Sequence, residues 1–264
     1  MPVVPPQHGA WAFLALPVAV SATVSPWTPL LLLVAITWVC AYPASYFVLA
    51  VVRDRASRHP DAGRFARPLV IWWVPTLAAG IPLLIVRPWL AWVALGYAAL
   101  FTVNIAFARR RDERALVNDA VFIVECAAMV PITWAVAAGG ATLAPPPLWS
   151  VPAHAWVLMA AVALLLGGST LHVKSLIRER ADPRFAHASR LLAWASLVGA
   201  VGLAAWWGLP AGLLLVVPFA WFALRSMLLA DPASRPARIG MVELVGFVLL
   251  VLASAAATAA GGSS

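Results

Sequence analysis

Nine runs of about twenty mostly apolar residues, parted by short polar stretches, constrain this chain more than any other feature. They cover residues 9–26, 29–52, 68–86, 88–108, 116–138, 153–175, 188–207, 209–229 and 239–260. A helical run of this length matches the hydrocarbon thickness of a bilayer, where no water is present to satisfy a broken backbone. The runs are continuous and do not alternate apolar with polar, so helices fit and a barrel does not. The predicted fold class is an all-α membrane protein, a nine-helix transmembrane bundle. It reads as one domain over 1–260, with 261–264 a disordered tail. Pro17, Pro75, Pro82, Pro131 and Pro218 fall inside runs, which membrane helices tolerate.

Composition excludes the soluble alternative. Hydrophobic residues make up 63% of the chain and charged residues 11%, against roughly 25% charged in soluble domains. The net charge of +8 would suggest nucleic acid in a soluble protein. Here the basic residues sit in loops between apolar runs, so they report topology, and membrane lipids rather than nucleic acid are the expected contacts. One set of loops carries 17 of the 18 Lys and Arg, and Arg87 stands alone on the other side. That asymmetry predicts a cytoplasmic N-terminus and an external C-terminus. Residues 1–8 lack a basic leader region, so the first apolar segment reads as a span and not as a signal peptide. Cys40 and Cys126 lie within runs and read as packing residues.

Two of the basic loops echo each other. After the second run come Arg53-Asp54-Arg55, Pro60-Asp61 and Arg64-Phe65-Ala66-Arg67. After the sixth come Arg178-Glu179-Arg180, Asp182-Pro183 and Arg184-Phe185-Ala186-His187. The echo suggests two pseudo-repeated halves, a common way to build a membrane fold around a site.

Polar residues inside a membrane are costly, so each is a functional candidate. Asn118 and Asp119 open the fifth run. Glu125 lies seven residues beyond Asn118, on the same helix face. Thr170, Lys174 and Arg178 fall on one face at the end of the sixth run, beside a stripe of Ser169, His172 and Ser175. A cationic face there suits an anionic head group such as a phosphate or diphosphate, or snorkels to lipid phosphates. Gln7, His8 and Trp11 stand at the start of the first run; Tyr42, Ser45 and Tyr46 lie in the second and Asn104 in the fourth. Glu243, near the start of the ninth, is expected to pair with a loop arginine. The chain has no Walker loop, dinucleotide fingerprint, nucleophile elbow or metalloprotease helix. No catalytic residue, metal ligand set or cofactor is predicted.

The stretches Pro6-Gln7-His8-Gly9-Ala10-Trp11-Ala12, Arg110 to Asp119 and Lys174 to Arg180 resemble the YwiC-like family of bacterial membrane proteins. That resemblance covers most of the chain and implies the bacterial plasma (inner) membrane. It implies no activity. A more distant resemblance is to the UbiA superfamily of intramembrane prenyltransferases. Those enzymes have nine helices, an internal N-terminus, active-site loops after helices 2 and 6, and a basic cluster before an Asn, here Arg109, Arg110 and Asn118. The resemblance implies a UbiA-like fold. The aspartate-rich magnesium diphosphate motifs of that superfamily are missing: Asp54 and Glu179 remain, each flanked by Arg, a poor shell for magnesium.

Three functions follow as alternatives. The first is a UbiA-like enzyme or binding protein for a phosphate-bearing amphiphile, an isoprenoid or anionic lipid, in a cytoplasm-facing pocket. Its candidate residues are Gln7, His8, Trp11, Tyr46, Arg53, Asp54, Arg110, Asn118, Asp119, Glu125, His172, Lys174, Arg178 and Glu179. The second is a small proton- or substrate-coupled transporter using Asp119, Glu125 and His172. The third is an accessory protein of a membrane complex.

Overall fold

The computed structural model describes residues 3–6, 8–55, 61–113, 115–229 and 235–261. Gln7, Arg58, Arg114 and the tail 262–264 lie outside the described residues, as does the side chain of His8. Nine α-helices occupy the described chain, and no strand occurs among the described residues. They are α1 (His8–Val24), α2 (Leu30–Arg55), α3 (Ala66–Val86), α4 (Leu90–Arg110), α5 (Leu116–Ala138), α6 (Ala153–Val173), α7 (Pro183–Trp207), α8 (Val216–Leu228) and α9 (Pro236–Gly261). Eight helical segments are long and apolar enough to cross a membrane, and α1 is a shorter apolar helix of 17 residues. At ~1.5 Å per residue α1 is about 26 Å long, just under a hydrocarbon core of about 30 Å.

Two boundaries depart from the apolar runs. Helix α7 begins at Pro183 rather than near 188. The Asp182 side chain accepts a hydrogen bond from the Arg184 backbone N–H at 2.9 Å, and proline occupies the first helical position. Capping therefore starts the helix over charged residues that an apolar count leaves out. The eighth run opens with a 3-10 stretch at Ala211–Leu215, and α-helix begins only at Val216.

The chain divides into two compact units. The first holds Met1–Ala15, Pro26–Glu125 and Ile132–Ser150. Within it α2 and α3 form a hairpin whose base is a core of Phe47, Ala50 and Phe65, flanked by Tyr46, Val51, Leu69 and Trp72. Trp11 packs on the rings of Tyr42 and Trp72, and the Trp72 indole donates to the Val3 carbonyl at 2.6 Å. Val70, Val74, Leu77, Ile81 and Ile85 of α3 are exposed. That face belongs in lipid, where such exposure carries no cost.

The second unit holds Leu16–Ser25, Cys126–Pro131 and Val151–Ser264. Its central element is α6, buried along one face through Ala155, Leu158, Val162, Leu165 and Leu166 and half-buried along the other. Helix α7 meets its neighbours through the small residues Ser189, Ala193, Ser196, Ala200 and Ala204, all buried at helical spacing. Small faces let backbones approach closely, which is how membrane helices gain contact without a hydrophobic driving force. Gly246 of α9 does the same, since a Cβ there would run into the Phe222 ring of α8.

Candidate functional site

Each echoing loop borders a hollow lined by its own unit. In the first unit the last turns of α2 carry Tyr46, Ala50, Arg53 and Asp54 to one side of a cavity of about 370 Å³. Arg64 and Phe65, from the 3-10 turn Ala62–Phe65, and Arg111, from the end of α4, complete its lining. The Asp54 carboxylate is buried and already spoken for. It accepts from the Asp61 backbone N–H at 2.7 Å and pairs with Arg64. Arg53 pairs with Glu113 at 2.5 Å and lies 5.7 Å from the Tyr46 ring centroid, while Arg64 lies over Phe65 at 4.7 Å. These contacts hold two guanidinium groups in place at the rim.

Arg111 is held differently. It caps α4 in the left-handed region, with φ of 58°, where its own N–H reaches the Ala108 carbonyl and that of Asp112 reaches Phe107. This is the position at which helices favour glycine. Arginine there turns its side chain toward the hollow, and among the described residues it has no ion pair.

Other expected residues of the first unit lie outside that lining. Trp11 is in the aromatic cluster against α3. Arg110 is exposed on the last turn of α4. Asn118 donates to the Glu113 carbonyl at 2.9 Å, and the Asp119 backbone N–H bonds Ala115. Glu125 is half-buried, its carbonyl accepting from the Tyr97 hydroxyl at 2.7 Å.

The second unit gathers a different set. Arg225 of α8 and Glu243 of α9 form an ion pair at 2.8 Å, with side chains 1% and 5% exposed. The His172 Nε2 of α6 stands 4.0 Å from the same Glu243 oxygen. Its Nδ1 faces the Ser189 hydroxyl of α7 at 3.4 Å. The Ser169 hydroxyl lies beside the Glu243 carboxylate, and the Arg225 guanidinium stacks on Phe222 at 3.9 Å. A cavity of about 90 Å³ reaches this cluster, lined by His172, Ser175, Ser189, Arg190 and Ser226 among others.

The cationic face expected along α6 does not persist. The helix passes into a π turn at Lys174–Arg178, marked by the Glu179 N–H bonding the Lys174 carbonyl at 2.8 Å. The wider turn shifts the register of side chains. Lys174 is buried and Arg178 exposed, so they share no surface with Thr170, and neither lines the cavity. Glu179 is half-buried beyond the turn.

Arg225 is the residue that sequence reasoning misplaced. It is one of the 17 basic residues counted to the cytoplasmic loops, and it is instead a buried residue of α8. The readable signal was Glu243, an acid inside an apolar run that needed a partner. The expected arginine is the right residue type, drawn from a helix and not from a loop.

Membrane-length apolar helices with charged groups drawn into two polar clusters define a polytopic helical membrane protein. This chain belongs to the YwiC-like family. The family description "YwiC-like protein" matches residues 4–134. The chain is 30% identical over 190 residues to the "Uncharacterized protein YwiC" of Bacillus subtilis (strain 168), covering 70% of this chain and 71% of that relative. No solved structure matches it. The likeness to the UbiA superfamily therefore rests on the sequence features alone.

Proposed function

We propose that this protein binds a phosphate-bearing amphiphile, an isoprenoid or lipid, with the head group in the arginine-lined hollow of the first unit. The membrane is the bacterial plasma membrane, and the hollow opens to the cytoplasm, as the loop charges direct. The supporting observation is Arg111. It lines the hollow from a left-handed position, without an ion pair among the described residues. A strained backbone occupied by a functional side chain is a common mark of a binding site. Arg53 and Arg64 bring two further guanidinium forks to the rim, and such forks match phosphate oxygens two at a time. Glu113 and Asp54 already neutralise those two, so Arg111 is the cation left to meet the ligand's charge. A volume of about 370 Å³ accommodates a head group and not a whole lipid, which leaves the tail among the apolar helices.

Lipids that co-purify with the protein test this reading. Mass spectrometry is expected to find one phosphate-bearing class enriched over bulk membrane. Replacing Arg53, Arg64 and Arg111 with Gln together should abolish the enrichment. A bulk-like lipid profile in the unaltered protein refutes the proposal.

A further inference from the structure

The charged cluster of the second unit supplies none of the residues that line the hollow of the first. Arg225 and Glu243 are both buried within spans, where a pair of apolar side chains of similar size would serve stability as well or better. An ionic pair in this position calls for a role beyond packing. Its surroundings supply one. His172 stands between the pair and the cavity, with one ring nitrogen toward Glu243 and the other toward Ser189 at the cavity wall. The cavity is large enough for a few water molecules, its wall carries the hydroxyls of Ser175, Ser189 and Ser226, and Arg190 is exposed on its lining. The Glu243 carboxylate has the Arg225 guanidinium and the Ser169 hydroxyl beside it, while His172 Nε2 has no hydrogen-bond partner among the described residues.

We propose that Glu243 is a proton-binding site inside the helix bundle, loaded from the Arg190 end of the cavity through His172. A hydronium in the cavity gives its proton to Nδ1, and the ring releases the Nε2 proton to Oε1 of Glu243. Water, a neutral imidazole of the other tautomer and a neutral carboxyl result. The reverse transfer restores the starting state. The 4.0 Å gap between Nε2 and Oε1 closes to hydrogen-bond length by side-chain rotation. The charged and titratable groups facing Glu243 are Arg225 from α8 and His172 from α6. The packed stretch Ala211–Leu215 carries none, and from α7 only Arg190 lines the cavity. Once Glu243 is neutral, Arg225 loses its counter-ion and keeps, among the described residues, the Phe222 ring. Protonation thus weakens the tie between α8 and α9, which makes the pair a coupling element between proton uptake and helix movement.

Infrared difference spectroscopy of the full chain in lipid nanodiscs, between mildly alkaline and mildly acidic buffer, tests both parts. The unaltered protein should gain a protonated-carboxyl band that Glu243→Gln lacks. His172→Asn should reach the same band after a pH jump, slowed by at least about tenfold. If Glu243→Gln does not fold, Arg225→Gln with Glu243→Gln removes both charges together and should lose the same band. A band that survives these changes, or its absence from the unaltered protein, overturns the site. A wild-type rate in His172→Asn overturns the route.

Discussion

The two units use the same chemical pair, arginine with a carboxylate, in opposite surroundings. In the first unit Arg53 and Glu113 are 32% and 26% exposed, and Arg64 is 52% exposed over a buried Asp54. In the second, Arg225 and Glu243 are almost wholly enclosed. An exposed pair is screened by water and contributes ~0–1 kcal/mol. An enclosed pair adds little net stability, yet removing one partner strands the other charge in a medium that cannot solvate it, at ~3–5 kcal/mol. On the proposed readings, the open pairs exchange partners with a ligand and the closed pair changes when a proton arrives.

The largest expected effect follows directly. Glu243→Ala leaves Arg225 buried without a counter-ion, and the unfolding midpoint in mild detergent should fall by an amount worth ~3–5 kcal/mol. Adding Arg225→Met should recover most of it, because both charges are then gone. If the double variant is as unstable as the single, stranded charge is not the cause. Gly246→Ala comes next. Its methyl group must displace the Phe222 ring that carries the Arg225 guanidinium, so a loss of ~1–3 kcal/mol is expected. Glu113→Ala in the first unit should cost no more than ~1 kcal/mol by the same measurement. A loss as large as that from Glu243→Ala would erase the distinction between the two sites.

How much of this was legible in the sequence follows the same division. Membrane spans are written in continuous apolar runs, so the nine helices among the described residues could be read, and their ends differ by a few residues wherever a cap or a 3-10 turn sets them. Asp182 and Pro183 start α7 inside a charged stretch that hydropathy assigns to a loop. Tyr46, Arg53 and Asp54 were legible as candidates, and they line one hollow because they share one helix end. Arg64 and Phe65 were visible in the loop echo, though not as lining. Arg111 was not singled out, since its place in the lining depends on a left-handed backbone that no residue type announces. The Glu243 pairing was legible, but its arginine was placed in a loop for a different reason. A charge near the end of an apolar run can be read as loop or as helix, and only the packing of α8 on α9 decides. The π turn after α6 was also invisible, because helical spacing was carried past the point where the helix widens.

The smallest expected effect on stability separates the two sites most sharply. Arg111→Gly removes a side chain from a backbone position that suits glycine, and glycine relieves about 1 kcal/mol of left-handed strain while adding freedom to the unfolded chain. The two terms nearly cancel, so the unfolding midpoint should stay level or rise slightly. Retention of a phosphate-bearing lipid should nevertheless fall, because the one cation of the hollow without an ion pair among the described residues is gone. Thermal unfolding and lipid mass spectrometry on the same sample read both quantities. Lost lipid with unchanged stability is the mark of a residue kept for binding at the cost of backbone comfort, the reverse of Glu243→Ala, where stability fails first. If Arg111→Gly keeps its lipid, the charge in the hollow is not what recognises the head group.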